Sequence, residues 1–235
     1  MSADSIVNSK LFNSISQFYK NPITYEQFKS NDPGKIIGEL SSQRVDPTIS
    51  YALIWQAVGA VFFSLIIIFI YIEIRFKNWQ YGLGGVVSLA HDTLIIITFF
   101  TLFHGILPFG MEIDQSFIAA LLTIIGYSIM DTVIIFDRIR EYNRLYPKRD
   151  LSNNINAAIN STLGRTINTS GVTLVTLITI FIFGGEVLRG FTFALIIGVI
   201  SGTYSSVFNA TPIAFDVIMW RKRRKERKEL ARMKG

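Results

Sequence analysis

Residues 126–141 read GYSIMDTVIIFDRIRE, and the fold of the chain turns on how that run is understood. From Ser116 to Phe136 the residues are apolar enough to lie in lipid, yet Asp131 stands among them and the run ends in the charged group Asp137, Arg138, Arg140 and Glu141. Crossing a bilayer takes about 20 apolar residues of helix. A run of that length closing on charge reads as a membrane helix emerging into water. An aspartate at mid-membrane costs about 2.5–3.5 kcal/mol on insertion scales, so Asp131 is expected to face protein or water and to have a partner.

The rest of the chain has the same character. Half of its 235 residues are hydrophobic, 19 are Phe and the mean hydropathy is +0.39, which excludes an ordinary soluble domain. The absence of Cys excludes a disulfide framework and a thiolate metal site, and His91 and His104 are too few for a histidine metal centre. With no nucleophile–base pair and no phosphate-binding glycine loop, neither an ATPase nor any cofactor is expected. Five windows are long enough to span, at 51–74, 81–103, 116–136, 167–187 and 190–220, the last two separated by GGEVLRG, read as a tight turn. The predicted fold class is an all-α polytopic membrane protein, a five-span helical bundle, with domains at 1–50, 51–220 and 221–235.

Cytoplasmic loops carry the Lys/Arg excess. Arg75 and Lys77 follow the first span, and the segment 137–165 holds Arg138, Arg140, Arg144, Lys148, Arg149 and Arg165. The tail 221–235 has nine Lys or Arg against Glu226 and Glu229, a net +7, so the residues before it sum to −1. Residues 104–115 have no Lys or Arg but carry Glu112 and Asp114. All basic segments are therefore assigned to the cytoplasm, with the tail against anionic headgroups or as a ribosome-side contact. Residues 1–50 fall on the other side. They have five basic and five acidic side chains and no signal peptide, so an earlier membrane helix is expected upstream of an extracytoplasmic remnant.

Three features break the apolar pattern. Asp131 has Tyr127 and Ser128 one turn before it, making one face of the span polar. Burial favours its protonated form and a nearby cation its carboxylate, a competition that makes a reversible proton site; the bland alternative is a carboxylate reaching the interface or joining helices. Asp92 lies on a small-residue face, Gly84, Ser88, Asp92, and its local string DTLII echoes DTVII at 131; His91 beside it reads as an interhelical hydrogen-bonding residue. The fourth span stacks Thr162, Thr166, Thr169, Thr173 and Thr176 on one face, with Arg165 within about 60° of its middle at about 100° per residue. Threonines can satisfy themselves on their own backbone, and an arginine there is also what the orientation rule predicts. With Asp131 approaching from the same side, an ion pair that breaks on protonation is a further reading of Arg165. The last span repeats Gly190, Ala194, Gly198, Gly202, Ser206 and Ala210 at every fourth position, a ridge for close helix packing. Glu73 reads as interfacial.

GYSIMDTVIIFDRIRE, QSFIAALLTIIGYS before it, LGRTINTS and FGGEVLRGFTFALIIGVISGTYSS after it, IYIEIRFKNWQYGLG, AHDT and SSQRVDPTIS together resemble the SecF family of protein-export proteins, or the SecF half of fused SecDF, from about residue 36 to 218. The resemblance implies an RND-like bundle of six spans with a ferredoxin-like extracytoplasmic domain between the first two, of which residues 1–50 would be a remnant. It implies pairing with SecD or a SecD half, work beside the SecYEG channel, SecA and YajC on an exported preprotein in the bacterial inner membrane, and use of the proton or sodium motive force. No nucleic acid partner is implied. It puts the ion-pathway acid on Asp131 and its arginine on Arg165, with Asp92 as a further acidic position and Thr169, Tyr127 and Ser128 as additional pathway or packing residues. Two departures are Met130, where the family usually has Asn, and Asp46, where it commonly has Gly. A membrane scaffold without titration and half of a small-molecule efflux pump are the rival readings.

Overall fold

The computed structural model describes residues 3–18, 24–29 and 47–233, and among these all regular structure is helical. The chain divides into two units, residues 1–49 and 50–235. In the first, α1 (Ala3–Ile15) runs into a short 3₁₀ turn and is followed by α2 (Tyr25–Lys29). The start of α2 is a reciprocal cap: Gln27 N–H donates to Thr24 Oγ1 at 3.3 Å and Thr24 N–H to Gln27 Oε1 at 3.0 Å. Phe12 closes a small aromatic cluster, 5.6 Å from the rings of both Tyr25 and Phe28. About half of the expected ferredoxin-like remnant, Asp46 included, falls on residues outside those described, and its described part is helical.

The second unit contains five helices long and apolar enough to cross a membrane, beginning at Tyr51, Trp79, Gln115, Leu151 and Leu188. They are carried by α3 (Pro47–Phe76), α4 (Trp79–Phe103), α5 (Gln115–Leu145), α6 (Leu151–Phe183), α7 (Glu186–Ser205) and α8 (Thr211–Met233). Here the chain departs from two sequence expectations. The basic segment 137–165 is not a loop: α5 runs on to Leu145 and α6 starts at Leu151, leaving residues 146–150 between them. Arg138 salt-bridges Glu141 at 2.7 Å and Asn154 Nδ2 donates to Asn143 Oδ1 at 2.9 Å, contacts that hold this helical extension together. The turn read in GGEVLRG is confined to Gly184 and Gly185, because Glu186 already begins α7. The basic tail is helical through Met233 and continues α8 directly.

Between α7 and α8 lies a π-helical turn, Ser206–Ala210. Such a turn displaces carbonyls from the regular ladder. Here the carbonyl of Ser206 receives the Thr211 hydroxyl at 3.1 Å. Glycines of the small-residue ridge and of α4 lie against close neighbours here. A Cβ on Gly198 would strike the Ile124 side chain, one on Gly202 would lie 2.9 Å from Ser128 Cβ, and one on Gly84 would lie 2.5 Å from the Ala210 carbonyl oxygen.

Two apolar cores organise the bundle. One gathers Ile72, Phe76, Tyr81, Phe136, Ile139 and Ala214 toward the end that bears the basic residues. The other gathers Ile96, Phe100, Phe117, Ile124, Leu195 and Val199 toward the opposite end. On α4, α5 and α7 the residues between the two sets are polar and buried: Ser88 and Asp92, then Ser128, Asp131 and Thr132, then Ser201 and Ser205. A polar layer is thus enclosed between two greasy ones. α3 packs on the bundle near its C-terminal end, through Ile68, Phe69, Ile72 and Phe76, whose ring lies 6.0 Å from Phe136. Its opposite half presents Trp55, Val58, Phe62 and Phe63 outward and leaves a groove of about 420 Å³ against Ile97 and Leu121.

Candidate functional site

The polar layer contains two acids with different surroundings. Asp92, on α4, is 1% exposed and both of its oxygens are engaged. Oδ2 accepts the Ser128 hydroxyl of α5 at 2.9 Å and the Ser205 hydroxyl of α7 at 2.7 Å, while Oδ1 accepts the Ser201 hydroxyl at 2.7 Å. His91 Nδ1 stands 3.3 Å from Oδ1 on the more open side. Hydroxyl-to-carboxylate bonds are short and among the stronger ones in proteins. The glycines make them reachable, since Gly202 sits one residue from Ser201 and has no Cβ to hold α7 away from Ser128.

Asp131 is also buried, at 6% exposed, but its Oδ2 has no hydrogen-bond partner. The groups that bear on it are Arg165 and Ser170 of α6. Ser170 is in turn reached by the Thr203 hydroxyl of α7 at 2.7 Å. Arg165 is exposed and, among the described residues, forms no ion pair with Asp131 within 4.0 Å. The expected pair is therefore not closed in this structure.

The threonine stripe of α6 is mostly self-satisfied. Thr162, Thr169, Thr173 and Thr176 each donate to the carbonyl four residues back, and Thr169 and Thr176 are exposed. Only Thr173 reaches another helix, accepting the Tyr127 hydroxyl at 3.2 Å. Of the residues singled out in the sequence, Ser128 and Asp92 come together, Tyr127 ties α5 to α6, and Thr169 takes no part in the layer. Met130 is 53% exposed, so its thioether points away from the layer. Sequence reading missed Ser201, Ser205, Ser170 and Thr203. The spacing of Ser201 and Ser205, one turn apart in an apolar helix, was the available signal.

The family model described as "Protein export membrane protein SecD/SecF, C-terminal" matches residues 26–220. The chain belongs to the SecD/SecF C-terminal family. Relatives named "Protein translocase subunit SecF" are 48% identical over 206 residues in Rhodothermus marinus, covering 88% of this chain and 64% of that protein, and 41% identical over 186 residues in Rhodobacter capsulatus, covering 79% and 54%. A "Protein translocase subunit SecDF" of Brucella abortus is 45% identical over 183 residues, 77% of this chain and 23% of that protein. A solved structure, "Crystal structure of SecDF in Super-membrane-facing form", superposes with a TM-score of 0.69 at 28% identity over 98% of this chain and 28% of its own. The chain thus spans less than two thirds of these SecF and SecDF proteins. As a member of this family with five spanning helices, it is a multi-pass membrane protein of the SecDF fold.

Proposed function

We propose that the chain is the membrane part of a SecF-type subunit of the bacterial protein-export machinery, in which an ion gradient across the inner membrane promotes movement of an exported preprotein. The observation that carries this reading is Asp131: a carboxyl buried between two apolar cores, with one oxygen unpartnered and Arg165 near but not bonded. A group held this way can take up or lose a proton without first breaking a hydrogen bond. When Asp131 is ionised, attraction draws Arg165 and α6 toward α5; when it is protonated, that attraction is lost and the helices part. Alternation between the two turns proton passage into helix movement. The basic ends of α3, α5, α6 and α8 face the cytoplasm in this reading, and protons enter from the opposite side.

The energetics limit the stroke. One charge crossing about 100 mV releases about 2.3 kcal/mol. Driving a two-state equilibrium nearly to completion takes about 5.5 kcal/mol, so more than one proton is needed per full cycle. A SecD-type partner supplying a second set of helices, the channel with its motor, YajC, the preprotein and the surrounding lipids are the partners this role requires. Residues 1–50 then belong to the extracytoplasmic domain that follows the exported chain.

The test is preprotein release from energised vesicles holding the full complex, with Asp131 or Asp131→Asn, each with and without an uncoupler. Asparagine keeps the size and hydrogen bonding but cannot titrate. Asp131→Asn is expected to match the uncoupled native complex. A variant that still responds to the gradient as the native complex does refutes the role and leaves a scaffold in its place.

A further inference from the structure

Asp92 is the most fully engaged acid among the described residues, and the reading above does not use it. Three helices converge on its carboxylate. Ser128 comes from α5, Ser201 and Ser205 come from α7, and Asp92 itself belongs to α4. Neither Ser128 nor Ser201 has another side-chain hydrogen-bond acceptor among the described residues, while Ser205 also reaches the Gly202 carbonyl at 3.3 Å. The π-helical turn starts at Ser206, immediately after the second α7 serine, and its last residue Ala210, with Ala214 one turn on, closes against Gly84, two turns from Asp92 on α4.

The contrast with Asp131 is chemical. An incoming proton finds a vacant acceptor at Asp131 Oδ2, whereas the Asp92 carboxylate, 1% exposed, already accepts three serine hydroxyls and touches His91. His91, 38% exposed at its side chain, is the titratable group in contact with Asp92; no Lys or Arg makes an ion pair with it among the described residues. Ser128 and Asp131 are three residues apart on α5 and therefore share a face. Fixing Ser128 fixes the height and rotation of Asp131.

We propose that Asp92 is a clamp, a positioning residue that binds α4, α5 and α7 at one level through Ser128, Ser201 and Ser205 and so sets where Asp131 sits relative to α6. The proposal rests on the ion-coupling role of Asp131 and adds a division of labour between the two acids: one exchanges, the other holds. It makes opposite demands on the same substitution at the two sites. An Asn side chain at 92 keeps one acceptor and gains two donors, and serine hydroxyls can turn to accept, so all three contacts survive. Alanine removes the acceptor and leaves buried hydroxyls without partners.

The experiment uses the full complex in energised vesicles, with Asp92→Asn, Asp92→Ala and Asp131→Asn compared over a range of external pH, and the unfolding temperature of each purified complex measured without a gradient. Asp92→Asn is expected to keep the gradient response within about threefold of native and its pH profile unmoved, because its hydrogen bonds persist. Asp92→Ala is expected to lower the response at least about tenfold, to shift the pH profile of what remains, and to lower the unfolding temperature, as loss of charge-assisted bonds requires. An assembled Asp92→Asn complex that has lost its gradient response overturns the proposal and makes Asp92 an exchanging site. So does an Asp92→Ala complex with native response and native pH profile. Failure of the Asp131 reading shows up separately, as a normal gradient response in Asp131→Asn, while the unfolding temperatures still report whether Asp92 clamps the helices.

Discussion

Gly202→Ala is the smallest change that loads the centre of the bundle. The new methyl would lie 2.9 Å from both Cβ and Oγ of Ser128, closer than carbon atoms pack, and the atoms it meets belong to a short side chain and its helix, not to the end of a flexible one. Overpacking of this kind costs about 1–3 kcal/mol. If Ser128 moves aside, its 2.9 Å bond to Asp92 is lost as well, and a hydrogen bond to a charged group contributes about 1.5–3 kcal/mol. Against this stands the gain of about 1 kcal/mol when Gly becomes Ala within a helix. The expected net destabilisation is about 1.5–5 kcal/mol. Gly126→Ala is the control, because nothing lies within 4 Å of its added carbon and it should be neutral or stabilising. The assay is reversible denaturant unfolding of the purified protein in mixed micelles, run as a double-mutant cycle with Ser128→Gly. In the Ser128→Gly background the Gly202→Ala penalty should fall below about 1 kcal/mol, since both the clash and the bond are already gone. An equal penalty in both backgrounds, or a Gly126→Ala penalty as large as that of Gly202→Ala, refutes the reasoning.

Two other changes test the helix ends and the surface, beside those at Asp131 and Asp92. Asp114 caps α5 by accepting the Phe117 N–H at 2.8 Å, so Asp114→Ala should cost about 1 kcal/mol in the same unfolding assay. Met130→Asn places an amide at an exposed position, so the isolated chain should change by less than about 0.5 kcal/mol. A large stability change there would mean that Met130 contacts the polar layer after all.

The spans were legible because a 20-residue apolar run has few alternatives, and the ridge from Gly190 to Ala210 because a four-residue period of small side chains has one physical use. Asp131 stood out by its cost in lipid. The clamp around Asp92 was harder to read, since serines are common as packing residues and nothing in a linear sequence says which helix stands opposite. Ser128 and Ser201 meet at the same carboxylate across 73 residues of chain. The helical extension of α5 was also hidden: the residues from Asp137 to Arg149 look like a solvated charged loop, yet Arg138 pairs with Glu141 one turn along the same helix, and Arg75 of α3 bonds Asp137 at 2.8 Å, a neighbour that appears only once the helices are side by side. The π-helical turn has no composition of its own and follows from packing around Gly84.

The attachment of α3 at one end has a mechanical consequence. From Ile72 to Tyr51 the helix extends about 31 Å as a stiff rod, at 1.5 Å per residue. Pinned between Ile68 and Phe76, it acts as a lever whose fulcrum rests beside Phe136, five residues from Asp131. A tilt of about 10° there swings the far end through about 5 Å, widening or shutting the groove along Val58 and Phe62. A displacement too small to disturb the packed layers near the acids is thereby magnified to the width of a side chain at the opposite face of the membrane.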